Sequence, residues 1–191
     1  MSEYFSKMFS SDFKEVVEST VRMPEDDPDV FNLFVQWLYA ARLCVPDMTK
    51  NTATSGPMWT RFKLYCFAEK ICLPELMDYT MSSIMSACVR GDKSPSIEVM
   101  RMVYGGTKQG SRLRLFTAHV LHFLIRNGGD LGPWPSSKLA QVMNEHEDLT
   151  VNVLQLLRDN SKAPSHPGHY PKCMFHVHTK NHTCKYKDDT P

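Results

Sequence analysis

Apolar residues along this chain recur at helical spacing far more often than in strict alternation. "SEYFSKMF" puts Tyr4, Phe5, Met8 and Phe9 on one side of a helix that begins at the start of the chain. "STVRMP" (Ser19–Pro24) brings the β-branched Thr20 and Val21 up to a proline stop, which predicts a short strand. In "MPEDDPDVFNLFVQWLYAARL" (residues 23–43), Asp27 suits a helix cap, since its carboxylate can accept a free backbone N–H. Pro28 suits the first helical position, having no N–H to leave unpaired. Asp26, Asp27 and Asp29 lie at the positive end of that helix's dipole. Val30, Phe34, Trp37, Leu38 and Ala41 then form one apolar stripe, which Phe31, Val35 and Tyr39 widen, leaving Asn32 and Gln36 as a narrow polar strip. Such a helix is expected at the centre of a fold. "RLCVP" after it predicts a second short strand.

"DMTKNTATSGPM" (Asp47–Met58) lacks periodicity and reads as a loop. A second strongly apolar helix is predicted over Trp59–Ile71. Pro74 opens a third, with Leu76, Thr80, Ile84 and Cys88 at four-residue steps and Met77 and Met81 beside them. "GDKSPS" breaks the pattern, and a short helix follows around Ile97–Tyr104. Ser111 caps a long helix that stops at Asn127-Gly128-Gly129, and further helices are expected near 137–145 and 148–158. From Asn160 the chain is rich in His, Pro, Lys and Thr and reads as extended. The expected fold is α/β but mostly helical: about seven helices clustered on a small, short-stranded sheet whose strands fall in the first 46 residues. Two strands alone make a marginal sheet, so the helix around Trp37 is expected to lack part of its cover.

Three stretches, "SEYFSKMFSSDFKE", "MPEDDPDVFNLFVQWLYAARL" and "LYCFAEKICLPELMDYTMSSI", together resemble a BTB/POZ domain of the fungal type, and "GGTKQGSRLR" resembles the "ENTPEGSxLRR" stretch of the C-terminal extension in fungal members. In that family an "LPEDDP" turn leads into a helix ending "WLYTG", followed by a helix similar to "LYVFADKY" and one opening "IPALK". The resemblance implies a partial BTB/POZ domain over 1–90, a helical extension over 95–158, and an extended Cys/His-rich tail over 159–191. It also implies that the family's N-terminal β-hairpin is missing before Met1, so that the fold is a truncated one. Family members act as dimeric scaffolds in transcription regulation or as substrate adaptors for cullin-type ubiquitin ligases. The implied function is therefore a non-catalytic protein–protein interaction module. Its partners would be proteins: a second copy of the chain, or a cullin-type ligase scaffold. Phe31, Phe34, Trp37, Leu38 and Tyr39 are expected to hold the fold, with any exposed subset forming the contact.

The 191 residues suit one ordinary domain plus a tail, and 42% hydrophobic content supports a real core. With 22 Lys+Arg against 21 Asp+Glu, the net charge of +1 provides no field for nucleic acid or an anionic membrane. No basic-then-apolar leader follows Met1, and no apolar stretch reaches the ~20 residues needed to cross a bilayer. Cys44, Cys66, Cys72 and Cys88 sit in or beside apolar segments, as reduced thiols do, so an intracellular setting is expected, cytoplasm or nucleus.

The sharpest chemical pattern is "CMFHVHTKNHTC", where Cys173, His176, His178 and Cys184 form C-x2-H-x-H-x5-C, with His182 in reserve. Two thiolates and two imidazoles would make a closed, structural tetrahedral zinc site. The competing reading is a solvated His-rich tail that binds metal weakly or not at all. No cofactor is expected for the domain itself. A small metal-binding or redox-sensing regulator acting through this cluster is the alternative to the interaction module. "YGGTKQGSR" spaces Gly105 and Gly110 as a phosphate loop does, but lacks the following Lys-Ser/Thr and reads as a turn between helices. His119 and His122, in line with Arg112 and Arg126, read as a solvated helix face. The acidic triplet is explained by capping, and the Met77, Met81 and Met85 cluster as core filler. Neither a nucleophile elbow nor a zinc-protease motif is present, and no enzyme activity is expected.

Overall fold

The computed structural model describes residues 7, 23–40, 57–91, 94–128, 132, 134–159, 164–178 and 184. The regular elements among them are helical. They are α1 (Pro28–Ala40), α2 (Pro57–Lys70), α3 (Pro74–Gly91), α4 (Ile97–Gly106), α5 (Arg112–Asn127), α6 (Ser136–Glu145) and α7 (Glu147–Asp159), followed by the 3-10 turns Pro167–His169 and Lys172–Met174. The expected small sheet is therefore corrected: no strand occurs among the described residues, and the fold there is all-helical. Met23 and Pro24, which were to end the first strand, lead into a turn. The remainder of both expected strands, and the helix expected at Tyr4–Phe9 except Lys7, lies outside the described residues.

Local chemistry starts the helices where the residue types say it should. The Asp27 carboxylate accepts the Asp29 N–H at 2.9 Å, and Pro28 takes the first helical position of α1. The second Asp27 oxygen binds Lys63 Nζ at 2.6 Å, and this partner holds the carboxyl below its ordinary pKa. Asp26 takes Lys70 at 2.8 Å, so the turn before α1 is tied to two lysines of α2. Half-exposed pairs of this kind contribute at most about 1 kcal/mol each, and their main effect is to set the angle at which α1 departs. Ser96 caps α4, Ser111 caps α5, and the Gly128 N–H closes α5 on the Leu124 carbonyl at 2.8 Å. Between α2 and α3 the turn runs through Cys72 at φ +52°, with the Leu73 N–H returning to the Ala68 carbonyl.

The enclosed rod is α2. Phe62, Leu64, Tyr65, Phe67 and Ala68 are buried around most of its circumference, with α1, α3 and α4 packed against it and the side bearing Lys63 and Lys70 partly open. The expectation that α1 is the central helix is corrected. Val30, Leu33 and Phe34 of α1 are buried, Val35 and Trp37 are half-buried, and Phe31, Leu38 and Tyr39 are exposed. The buried side of α1 meets α2 through an aromatic cluster, with Phe31, Phe34 and Phe67 at centroid separations of 5.5–6.2 Å. The stripe expected on α3 is found: Leu76, Met77, Thr80, Met81, Ile84, Met85 and Cys88 are all buried.

A polar hub ties the second half together. Arg114 of α5 donates through Nη1 to Asp148 of α7 at 2.5 Å, through Nη2 to the Tyr104 carbonyl at 2.8 Å, and through Nε to Thr107 Oγ1 at 3.0 Å. It also donates to the Thr107 carbonyl and lies 4.9 Å over the Tyr104 ring. The planar fork reaches three elements at once. Arg114→Lys is expected to lose about 2 kcal/mol of stability in denaturant titration, because an ammonium cannot span those partners. Arg114→Ala, which strands Asp148, is expected to lose about 3 kcal/mol.

His119 and His122, expected on a solvated face, are buried. The helix face they share with Phe116 is covered by residues 164–178, which composition alone had left as an extended tail. Burial, reinforced by His122, pushes His119 down to about 4 from an ordinary 6.5. The unfolded chain therefore takes up the proton first. Stability is complete above about pH 6.5 and is lost as pH falls from there towards 4, by about 3 kcal/mol in all. Chemical denaturation across that window should show a shallower pH slope for His119→Gln; an equal slope would refute the assignment.

Candidate functional site

Residues 164–178 run back across α3 and α5 as a strap. The strap begins where Asn127 Nδ2 donates to the Pro164 carbonyl at 3.2 Å. His166 Nδ1 accepts the Gly168 N–H at 3.0 Å, forming the first 3-10 turn. Gly168 is needed there, since a Cβ would stand 2.7 Å from Val89 Cγ2 and 3.0 Å from the Met85 carbonyl oxygen. Phe175 is the anchor. It is fully buried, edge-on to Phe116 at 5.3 Å and His119 at 5.5 Å, and parallel to Tyr170 at 6.2 Å.

Beyond this anchor, the four residues singled out from spacing come together. One potential ligand atom from each of Cys173, His176, His178 and Cys184 lies within 4.8 Å of all the others. His176 Nδ1 stands 3.3 Å from His178 Nε2 and 3.3 Å from Cys184 Sγ. Its other ring nitrogen is 2.9 Å from Ser82 Oγ of α3. His176 is buried, and burial pushes it down to about 4, so its ring is neutral. The Val177 N–H between the two histidines donates to Asp78 Oδ1 at 2.6 Å, fixing the backbone at this point. His182 lies outside the described residues.

Asp78 and Ser82 were missed in the sequence. They are polar, four residues apart, and fall within the otherwise apolar buried run of α3, which is a signal that something polar faces them. The second site-bearing group, on α1, is split by the fold. Phe34 is buried, Trp37 is half-buried, and Phe31, Leu38 and Tyr39 are 40%, 55% and 90% exposed. The buried indole Nε1 of Trp37 has no hydrogen-bond acceptor among the described residues.

A cleft of about 340 Å³ separates the turn before α1 from α2 and α4, lined by Asp26, Asp27, Lys63, Cys66, Lys70 and Met102 among others. In it Asp27 pairs with Lys63 and Asp26 with Lys70. Burial pushes the Cys66 thiol up to about 12, as it does Cys88, which leaves both poor nucleophiles. Gly105 and Gly106 end α4, and residues 107–110 form the turn to α5, with Gly110 at φ +82°.

Residues 1–71 match the family model of the BTB/POZ domain. This stretch ends with α2, so it takes in α1 and the helix that α1 covers. BTB/POZ domains mediate protein–protein interaction and self-association. No curated protein and no solved structure matches the chain. No described helix is long and apolar enough to cross a membrane.

Removing the strap's anchor should undock it. In Phe175→Ala, which deletes a fully buried ring worth about 3–5 kcal/mol, hydrogen exchange at Val177 is expected to rise towards the unprotected rate. Amides of α2 should keep their protection. Unchanged exchange at Val177 would show that the strap is held by something else.

Proposed function

We propose that the protein is a non-catalytic interaction module of BTB/POZ type, working as a scaffold or adaptor through the outer face of α1. The observation that carries this reading is the family match over residues 1–71. It is supported by the three large apolar side chains that α1 leaves in water, Phe31, Leu38 and Tyr39, on the helix beside the aromatic cluster. Exposed aromatic and aliphatic side chains next to a rigid packed layer are the usual material of an interface core. The partner chemistry this face suits is another apolar helix face. A second copy of the chain and the N-terminal helices of a cullin-type scaffold both provide one. A reduced intracellular compartment fits the free thiols of Cys66, Cys72 and Cys88.

The charged groups around α1 and α2 have structural work in this reading. Asp27 caps α1, Asp26 and Lys70 pair, and Arg61 Nε donates to Ser83 at 2.9 Å.

Association can be read directly by sedimentation velocity, first of the protein alone and then with a purified cullin N-terminal domain. Leu38→Glu and Tyr39→Ala remove exposed groups, so thermal stability should change by less than about 0.5 kcal/mol. Self-association or cullin binding should weaken at least tenfold. If both variants associate as the parent does, the face on α1 is not the contact.

A further inference from the structure

We infer that Cys173, His176, His178 and Cys184 bind a zinc ion in a closed tetrahedral site that fastens the strap to α3. The inference does not rest on the BTB/POZ reading; it stands on the ligand geometry and on the groups behind it. Zinc–nitrogen bonds of about 2.0–2.1 Å and zinc–sulfur bonds of about 2.3 Å give a tetrahedron whose edges run roughly 3.3–3.8 Å. His176 Nδ1 lies 3.3 Å from both His178 Nε2 and Cys184 Sγ, close to that edge length. Cys173 supplies the fourth corner, its ligand atom within 4.8 Å of the other three.

What stands behind the ligands is as specific as their spacing. Metal-binding histidines use one ring nitrogen for the ion and orient the ring through the other. His176 has this division, with Nδ1 in the cluster and Nε2 on Ser82 Oγ at 2.9 Å. Asp78 holds the Val177 N–H at 2.6 Å, so the backbone linking the two histidine ligands is fixed from α3 as well. The other strap histidines are placed differently: His166 is committed to the Gly168 turn through Nδ1, and His169 is exposed.

The charge also fits. Zn²⁺ with two thiolates and two neutral imidazoles has no net charge, so it can sit beside the buried Phe175 without a stranded ion. The binding step is Zn²⁺ plus two thiols giving two zinc–thiolate bonds and two protons released to solvent. No oxidant or reductant takes part. The cluster closes the end of a polypeptide segment whose chief apolar anchor is Phe175, which makes the site structural.

The experiment uses the full chain purified under reducing conditions, stripped with a chelator and titrated with zinc alone. The expected result is one zinc per chain by elemental analysis, two protons released per zinc, and slower hydrogen exchange at Val177. Substitution with cobalt should give the visible bands of a tetrahedral site with two thiolates. Cys173→Ser, a change at an exposed position, should abolish stoichiometric binding and the cobalt–thiolate bands while leaving α2 protected. Ser82→Ala should keep all four ligands and weaken zinc at least tenfold. The proposal is overturned by binding below one equivalent after reconstitution. It is equally overturned by zinc retained at parent affinity in Cys173→Ser, which would indicate surface histidines. A Cys173–Cys184 disulfide in reduced preparations that refuses zinc would do the same.

Discussion

Enclosing α2 is the constraint on which the rest of the structure turns. Phe62, Leu64, Tyr65, Phe67, Ala68 and Ile71 are buried around most of that helix and at its end, so it must be covered from several directions, with the side bearing Lys63 and Lys70 left partly open. α1, α3 and α4 each cover one side. The polar residues that α2 carries among these are long, and each reaches out of the apolar layer to a partner. Arg61 meets Ser83, Lys63 meets Asp27, Glu69 accepts from Ser111 at 2.6 Å, and Lys70 meets Asp26. The packing that buries α2 therefore also wires it to the start of α1, to α3 and to the cap of α5.

Those partners explain what could be read in advance and what could not. Caps and stops depend on two or three adjacent residues, so Asp27-Pro28, Ser111 and Asn127-Gly128 told where helices begin and end. The α3 stripe was legible because its apolar residues repeat at helical steps on a single buried face. The choice of α1 over α2 as the enclosed helix failed because α1 has few polar residues while α2 carries Arg61, Lys63, Glu69 and Lys70, so composition favours α1. Which one is buried depends on where the partners of Lys63, Lys70, Arg61 and Glu69 lie, and that is a long-range property. His119 and His122 misled for a similar reason: a histidine has no fixed side, and for His119 it was the arrival of Phe175 and Tyr170 from fifty residues away that covered it. The strap itself was hidden by composition, since Pro, His and Lys outnumber its one anchor.

The candidate metal ligands were visible from spacing alone, and the reason is geometric. Closely spaced ligands show as a pattern in one stretch of chain, and C-x2-H-x-H provides three candidates within six residues. The supporting pair was not visible, because Asp78 and Ser82 lie about a hundred residues earlier and look from the sequence like ordinary helix polars. Side chains that orient a site are recruited across the fold, whereas side chains that form it tend to be neighbours.

Position on α3 links the two regions of interest. Ser82 and Ser83 are consecutive, so their side chains leave the helix about 100° apart. Ser82 points to His176 of the strap, and Ser83 accepts from Arg61 of α2. One helix thus has a side committed to the strap and a side committed to the rod that α1 covers. The strap packs on α3 and α5, while α1 packs on α2, so among the described residues the main packing of the exposed aromatic face and of the Cys/His cluster falls on different helices. Loss of the strap would uncover Phe116 and His119 without removing any group that holds α1 in place. Two routes join the regions through α2: α3 with the Arg61–Ser83 bond, and α5 with the bond from Ser111 to Glu69.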